Sequence, residues 1–164
     1  MADCKAVFTK DTDNTTITVT RRFSAPLKKV WHAWTNSEIL DQWWAPKPYK
    51  AETVEMDFRE GGHWFYYMLS PEAERHYCKF NYSEIKPGEF YTGSDMFTDE
   101  NGNRMGDMPS MTWKVNFSAA EDETNLDILI SFDKIEDMET ILKMGFQGGF
   151  TMGLGNLDEV LASG

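Results

Sequence analysis

Cysteine and histidine are few and scattered in this sequence, so a zinc site would need several Asp or Glu ligands as well. The cysteines are Cys4 and Cys78, and the histidines are His32, His63 and His76. Two distant cysteines exclude a disulfide framework and a C-x-x-C metal motif, and no histidine has a cysteine pair near it. We therefore predict no metal site and no bound cofactor.

Long apolar runs and clustered basic residues are also missing. No segment reaches the ~18–20 consecutive apolar residues that span a bilayer, and the N-terminus has no charged-then-apolar signal sequence. Lys and Arg number 16 against 27 Asp and Glu, which gives a formal net charge of −11. Nucleic acids and anionic membrane surfaces attract clustered positive charge, so we expect neither as a partner. The reduced cytoplasm is the expected compartment.

The common catalytic motifs are absent from the sequence as well. It contains no Gly-x-Ser-x-Gly, no Ser-x-x-Lys and no phosphate-binding loop. The glycine pair in Glu60-Gly61-Gly62 is typical of a hairpin turn. The pattern does not bring together a nucleophile, a base and an orienting group. These absences favour a binding protein and make an enzyme the least favoured class.

The C-terminal stretch Ile135–Ala162 is amphipathic and rich in glycine. Its apolar residues recur at steps of three and four, which predicts a long helix with one buried face. Each glycine inside a helix costs roughly 0.5–1 kcal/mol relative to alanine. On an unbroken helix Gly145, Gly149 and Gly153 would form a bare stripe, which admits another backbone or leaves an empty volume. A helix that breaks near Gly148–Gly149 is the alternative.

The remaining chain predicts one strand, two short helices and a meander of six strands. Thr15–Phe23 alternates apolar and polar residues, helical spacing follows Pro26 and continues over Glu38–Trp43, and a period of two returns from Tyr49 to Phe132. This order predicts an α+β fold, in which a curved antiparallel sheet of about seven strands wraps around the long C-terminal helix and leaves a cavity.

The length of the chain is that of one domain. A sequence of 164 residues can bury ~70% of the surface that its unfolded form exposes. Residues 1–14 are polar and without a sustained pattern, so we expect a flexible lead-in there. Residues 15–164 are then the single folded domain, which we expect to be a monomer or a weak homodimer.

Four motifs resemble a known protein family. They are FSAPLKKVWHAWT (Phe23–Thr35), LDQWWAP (Leu40–Pro46), MDFREGGHWFYYM (Met56–Met68) and GFTMGLGNLDEVL (Gly149–Leu161). In this order they resemble the bacterial homologues of the activator of the heat-shock-protein-90 ATPase, within the START-like, birch-pollen-allergen-like helix-grip superfamily. The resemblance covers nearly the whole chain and implies an antiparallel sheet that grips a C-terminal helix, in agreement with the pattern.

The resemblance implies several functions, because the superfamily includes lipid carriers, hormone-binding proteins, polyketide cyclases and co-chaperone domains. The co-chaperone activator has an additional N-terminal domain, for which Met1–Asn14 is too short. Our first hypothesis is non-enzymatic binding of a small hydrophobic or lipid-like molecule between sheet and helix. The second is a co-chaperone-like module that stimulates a heat-shock chaperone ATPase, and the third is a cyclase-like or hydrolase-like enzyme.

The candidate cavity residues are large apolar side chains at expected inward positions, three polar groups (Tyr66, His76 and Tyr82), and two helix glycines. Plain core packing is the alternative for each of them. The strand His63–Leu69 is aromatic on both faces, so its orientation stays open. The full set of candidates is Trp34, Trp43, Met56, Trp64, Tyr66, His76, Phe80, Tyr82, Met96, Trp113, Phe146, Gly149, Phe150 and Gly153.

Overall fold

Apart from an additional first strand and a divided C-terminal helix, the helices and strands follow the predicted order in the computed structural model, which describes residues 6–106 and 108–162. The strands in these residues are β1 (Val7–Asp11), β2 (Thr16–Phe23), β3 (Lys50–Asp57), β4 (His63–Leu69), β5 (Arg75–Lys86), β6 (Phe90–Thr98), β7 (Met111–Ala120) and β8 (Glu123–Ser131). The helices are α1 (Leu27–Thr35), α2 (Ser37–Trp43), α3 (Ile135–Lys143) and α4 (Phe146–Ala162). None of these helices is both long and apolar enough to cross a bilayer. The predicted α+β helix-grip architecture is confirmed.

All the strands of the described residues form one antiparallel sheet, in the order β1-β2-β8-β7-β6-β5-β4-β3. Side chains alternate between the two faces of a strand, and in β8 the buried Leu126, Ile128 and Ile130 alternate with more exposed residues. The buried face carries the core and packs against the helices. A sheet with one apolar face must cover that face, and here the C-terminal helices do so.

The first strand lies inside the segment predicted to be a flexible lead-in. It pairs with β2, from Val7 opposite Thr20 to Asp11 opposite Thr16. The Asp11 carboxylate closes the turn by accepting from the backbone N–H of Asp13 at 3.1 Å. The lead-in prediction is therefore wrong for this segment, and the described residues form an eight-stranded sheet where about seven strands were predicted. The first strand lies at the edge of the sheet, where even Val7 is 56% exposed. Because no face of the strand is fully buried, its sequence does not alternate between apolar and polar residues. Residues 1–5 lie outside the described residues.

The predicted long C-terminal helix is two helices that meet at Gly145. This residue has φ +89°, a conformation that glycine adopts without the steric cost of a side chain, and its N–H donates to the Leu142 carbonyl oxygen at 3.1 Å. The break therefore lies ahead of the predicted alternative at Gly148–Gly149. The other four glycines of the stretch lie inside α4, and they are Gly148, Gly149, Gly153 and Gly155.

Polar contacts attach α4 to the sheet and to α1. Arg21 of β2, which is nearly buried, forms an ion pair with Asp158, with Nη1 donating to Oδ1 at 3.1 Å. The Lys29 ammonium group of α1 donates to the Leu161 carbonyl oxygen at 2.5 Å, at a helix end where carbonyls lack intrahelical partners. These contacts fix the C-terminal half of α4.

Gly155 lies on the solvent side of α4 and performs no packing role. A Cβ atom added there would have no heavy atom within 4 Å. We expect Gly155→Ala to raise the free energy of unfolding by about 0.5–1 kcal/mol, because alanine costs less backbone entropy in a helix. Urea denaturation followed by circular dichroism measures this. A destabilised variant would show that α4 is not a regular helix at this position.

Candidate functional site

An indole at the end of α2 is the centre of the inner aromatic cluster. The ring of Trp44 lies 5.2 Å from Trp64, 6.1 Å from Trp113 and 6.1 Å from Phe150 between centroids. Its Nε1–H donates to the Tyr66 hydroxyl oxygen at 3.0 Å. This bond satisfies a polar atom that would be costly to leave unpaired in an apolar cluster. One side chain thus connects the sheet, α2 and α4.

A pocket of about 240 Å³ lies beside this indole, between the inner face of the sheet and the α3–α4 junction. Strands β4 to β7, the segment after α2 and the two C-terminal helices all contribute to its wall, which is mostly apolar. Its volume is somewhat below the roughly 300–1,000 Å³ of common small-molecule sites, so it suits a ligand of one ring or similar size. The lining residues are Trp44, Pro46, Tyr66, Met68, His76, Cys78, Asp95, Phe97, Met111, Trp113, Ile141, Met144, Gly145, Phe146, Gly149 and Phe150.

Two glycines leave the helical side of the pocket without side chains. Gly145 makes the bend between α3 and α4, and Gly149 follows one turn later. A Cβ atom at Gly149 would lie 3.6 Å from Cγ of Pro46, which is ordinary van der Waals contact. Small substitutions therefore fit at Gly149, and a larger side chain there would extend along the pocket wall.

Asp95 is the one carboxylate among the described residues that line the pocket. Strand β6 places it between Phe80 of β5 and Met111 of β7. It is 7% exposed, and its Oδ1 has no hydrogen-bond partner. Burial raises the pKa of this carboxyl group to about 7, against a smaller opposing effect of the Met96 backbone N–H. Near neutral pH the group therefore exists in both its charged and its protonated form.

The thiol and the phenol of the wall are poor nucleophiles. Burial, followed by the nearby charge of Asp95, raises the pKa of the Cys78 thiol, and the same two causes raise the pKa of the Tyr66 hydroxyl. A thiol that stays protonated attacks slowly, because the thiolate is the reactive form. In the described part of the chain, no three His, Cys, Asp or Glu side chains are grouped to hold a metal ion. The chemistry of the wall therefore favours binding.

Six candidates from the sequence lie on the pocket wall, and the others lie elsewhere. Those on the wall are Tyr66, His76, Trp113, Phe146, Gly149 and Phe150. Those buried in the core outside the wall are Trp34, Trp43, Trp64, Phe80, Tyr82 and Gly153, with Met56 partly buried against them. Met96 pairs with Lys79 and lies on the face of β6 opposite to Asp95.

Two of these placements have a clear physical reason. Gly153 lies where the backbone of α4 packs against the backbone after α2, since a Cβ atom there would lie 3.2 Å from the Trp44 carbonyl oxygen. Tyr82 packs against Phe58 with ring centroids 4.8 Å apart, away from the α3–α4 junction. Of the two candidate glycines, Gly149 lines the pocket, whereas Gly153 lies outside it and allows a close approach of two backbones.

The sequence interpretation missed Asp95 and Cys78, although strand register contains a signal for both. Cys78 pairs with Tyr66 on one side and with Phe97 on the other, and Asp95 shares the face of Phe97. The candidate Met96 lies on the opposite face of the strand from Asp95. Hydrophobicity favours an inward methionine over an inward carboxylate, and this preference led to the wrong face. The remaining lining residues outside the candidate set are Trp44, Pro46, Met68, Phe97, Met111, Ile141, Met144 and Gly145.

An antiparallel sheet around a C-terminal helix, with an apolar pocket between them, defines a helix-grip domain of the START-like kind. The family described as "Activator of Hsp90 ATPase homolog 1-like protein" matches residues 24–162. The chain belongs to this family. Among the curated proteins no match is found.

Several solved structures share the fold over almost the whole chain. Protein Ms6760 from Mycobacterium smegmatis is 25% identical, with a TM-score of 0.88 over 95% of this chain and 96% of that chain. A protein from Arthrobacter aurescens is also 25% identical, with a TM-score of 0.91 over 96% and 92%. The AHSA1 protein from Silicibacter pomeroyi is 19% identical, with a TM-score of 0.70 over 90% and 97%, and supports the fold alone.

Proposed function

We propose that the protein binds one small hydrophobic molecule in the pocket between the sheet and the α3–α4 junction, without catalysing its conversion. The observation that carries this proposal is a pocket of about 240 Å³ with mostly apolar walls beside the aromatic core. An apolar ligand gains roughly 25 cal/mol for each Å² of apolar surface that it buries. A concave and mostly apolar pocket with a few polar groups is the usual form of a small-molecule site.

Gly149→Leu tests this proposal directly. The new side chain begins in ordinary contact with Pro46 and extends along the pocket wall, so it should occupy ligand volume without unfolding the protein. We expect the variant to bind phenethyl alcohol, a single-ring probe, at least tenfold more weakly than the wild type. An NMR titration of the full chain measures both affinities.

Gly148→Leu is the matched control for this experiment. It makes the same substitution one residue earlier, at an exposed position of α4 where an added Cβ atom meets nothing within 4 Å. We expect wild-type affinity for phenethyl alcohol in this variant. Unchanged binding by Gly149→Leu, or a wild type that shows saturable binding of neither phenethyl alcohol nor the amine of the same carbon skeleton, would contradict the pocket proposal.

A second function is favoured by the family description, which names an activator of a chaperone ATPase. In this case the protein would bind a heat-shock-protein-90 chaperone through its surface and stimulate ATP turnover. The two functions separate in one assay, because the Gly149→Leu substitution alters the pocket wall and would leave an interaction through the rest of the surface intact. Stimulated turnover by both wild type and variant supports the second function, whereas no stimulation by either protein counts against it.

A further inference from the structure

The pocket combines a buried, unpaired acid with aromatic walls. Only 7% of the Asp95 surface is exposed, and its Oδ1 lacks a hydrogen-bond partner. Among the described residues of the wall there is no Lys and no Arg. An unpaired carboxylate in such a site costs several kcal/mol, because the lost hydration is not replaced. Apart from His76, the described residues of the wall therefore supply no basic side chain to offset this cost.

The aromatic side chains beside Asp95 suit a positive charge. Trp44, Tyr66, Trp113 and Phe150 line the same pocket, and the ring centroids of Trp113 and Phe150 are 5.6 Å apart. Aromatic faces attract cations through their quadrupole, and this attraction strengthens when water is excluded. A net charge of −11 over the whole chain also favours the approach of a positively charged ligand.

We propose that the ligand of this pocket is a small organic amine, whose protonated nitrogen pairs with the Asp95 carboxylate while its hydrocarbon body packs against the aromatic rings. This inference rests on the proposed function, and it adds the chemical class of the ligand. A charged donor is favoured over a neutral hydroxyl group, because charge-assisted hydrogen bonds are roughly twice as strong as neutral ones. A carboxylate-bearing ligand is disfavoured when Asp95 is ionised, because the two negative charges repel each other.

Two probes with the same carbon skeleton test the inference. Phenethylamine and phenethyl alcohol differ in the terminal group, which is a cation in one and a neutral donor in the other. At pH 8 we expect the full-length wild type to bind the amine at least tenfold more tightly than the alcohol. Isothermal titration calorimetry measures both affinities.

Asp95→Asn removes the negative charge and preserves the size of the side chain. We expect this variant to lose at least tenfold in affinity for phenethylamine, while its affinity for phenethyl alcohol changes less than threefold. Asp127→Asn is the control, because Asp127 is also a strand residue but is exposed on the opposite face of the sheet. The control should leave both affinities unchanged.

The pH dependence of binding gives a second signature in the unmutated protein. Since the pKa of the Asp95 carboxyl group is about 7, its ionised fraction rises about tenfold from pH 6 to pH 8. An alkylammonium group stays charged across this range, as lysine does. We therefore expect phenethylamine affinity to rise by up to about tenfold over this interval, while phenethyl alcohol affinity does not rise.

Asp95 is the group to which we assign this pH dependence, because most of its neighbours keep the same charge between pH 6 and pH 8. Tyr66 on β4 and Cys78 and Tyr82 on β5 have pKa values raised by burial, so they stay neutral through pH 8. Strand β7 and the two C-terminal helices contribute only uncharged side chains to the wall. His76 is the one basic side chain of the lining, and Asp95→Asn separates its effect, because the variant keeps the histidine.

The outcomes separate the two proposals. Equal affinity of the wild type for amine and alcohol, or an amine preference that survives Asp95→Asn, would overturn the amine inference and leave the hydrophobic pocket standing. If the wild type binds neither probe, both the amine inference and the pocket proposal are overturned. Tight amine binding that is lost in Asp95→Asn and kept in Asp127→Asn is the result that the geometry predicts.

Discussion

Asp95→Asn should stabilise the protein relative to the wild type by an amount that grows as the pH rises from 4 to 8. The native protein raises the pKa of this carboxyl group from 3.8 to about 7, so between these values the native state binds a proton that the unfolded state has released. Wild-type stability that is fully present below pH 4 is therefore lost as the pH rises through 7. Each pKa unit corresponds to about 1.4 kcal/mol, so the difference between variant and wild type should grow by about 2–4 kcal/mol.

Urea denaturation of both proteins at several pH values measures this difference. The other carboxyl groups titrate alike in the two proteins, so subtraction isolates Asp95. The exposed Asp127→Asn variant serves as the control and should show a difference from the wild type that does not vary with pH. A constant difference for Asp95→Asn would mean that the carboxyl group is hydrated in solution, which would remove the main electrostatic feature of the pocket.

Gly153→Leu should destabilise the protein severely. At this position α4 crosses the end of α2, and a Cβ atom would lie 3.2 Å from the carbonyl oxygen of Trp44 and 3.4 Å from that of Trp43. The backbone cannot yield as a flexible side chain would, so α4 must move away. The buried Asn156 would then lose its bond to the Ala45 carbonyl oxygen, now 3.1 Å long. We expect a loss of about 3 kcal/mol or more in the free energy of unfolding.

The comparison with Gly149→Leu, one helical turn earlier, separates packing from ligand volume. At Gly149 the nearest atom to an added Cβ is Cγ of Pro46, at 3.6 Å, and the pocket gives room for the rest of the side chain. Urea midpoints should therefore fall sharply for Gly153→Leu and stay close to the wild type for Gly149→Leu and Gly148→Leu. Equal midpoints for all three variants would show that α4 does not contact α2 closely.

Regular alternation made most of the sheet predictable, whereas weak patterns hid two features of the fold. In strand β8 the buried Leu126, Ile128 and Ile130 alternate with more exposed residues, because only the inward positions must be apolar. Strand β1 lies at an edge and is largely exposed, so its residues carry no such signal. The break at Gly145 depends on a positive φ, which glycine permits but does not demand, and other glycines in the stretch are helical.

Sequence patterns indicated large inward side chains but did not divide them between core and pocket. Phe80 and Tyr82 share a face with Cys78 on β5, yet of these three only Cys78 lines the pocket. The difference comes from where the α3–α4 junction lies over the sheet, which is a tertiary property. Asp95 was missed for another reason, because hydrophobicity argues against an inward carboxylate, and a functional site is where that rule is broken.

An NMR titration of the isotope-labelled full chain with phenethylamine at pH 8 tests the central claim most directly. Binding between the sheet and the α3–α4 junction should move the backbone amide resonances of Cys78, Asp95 and Gly149 with one common saturation curve. The resonances of Lys79 and Met96, which alternate with the wall residues along the same strands, should move less. Saturable shifts confined to the outer face of the sheet, or no saturable shifts, would contradict a ligand site inside the pocket.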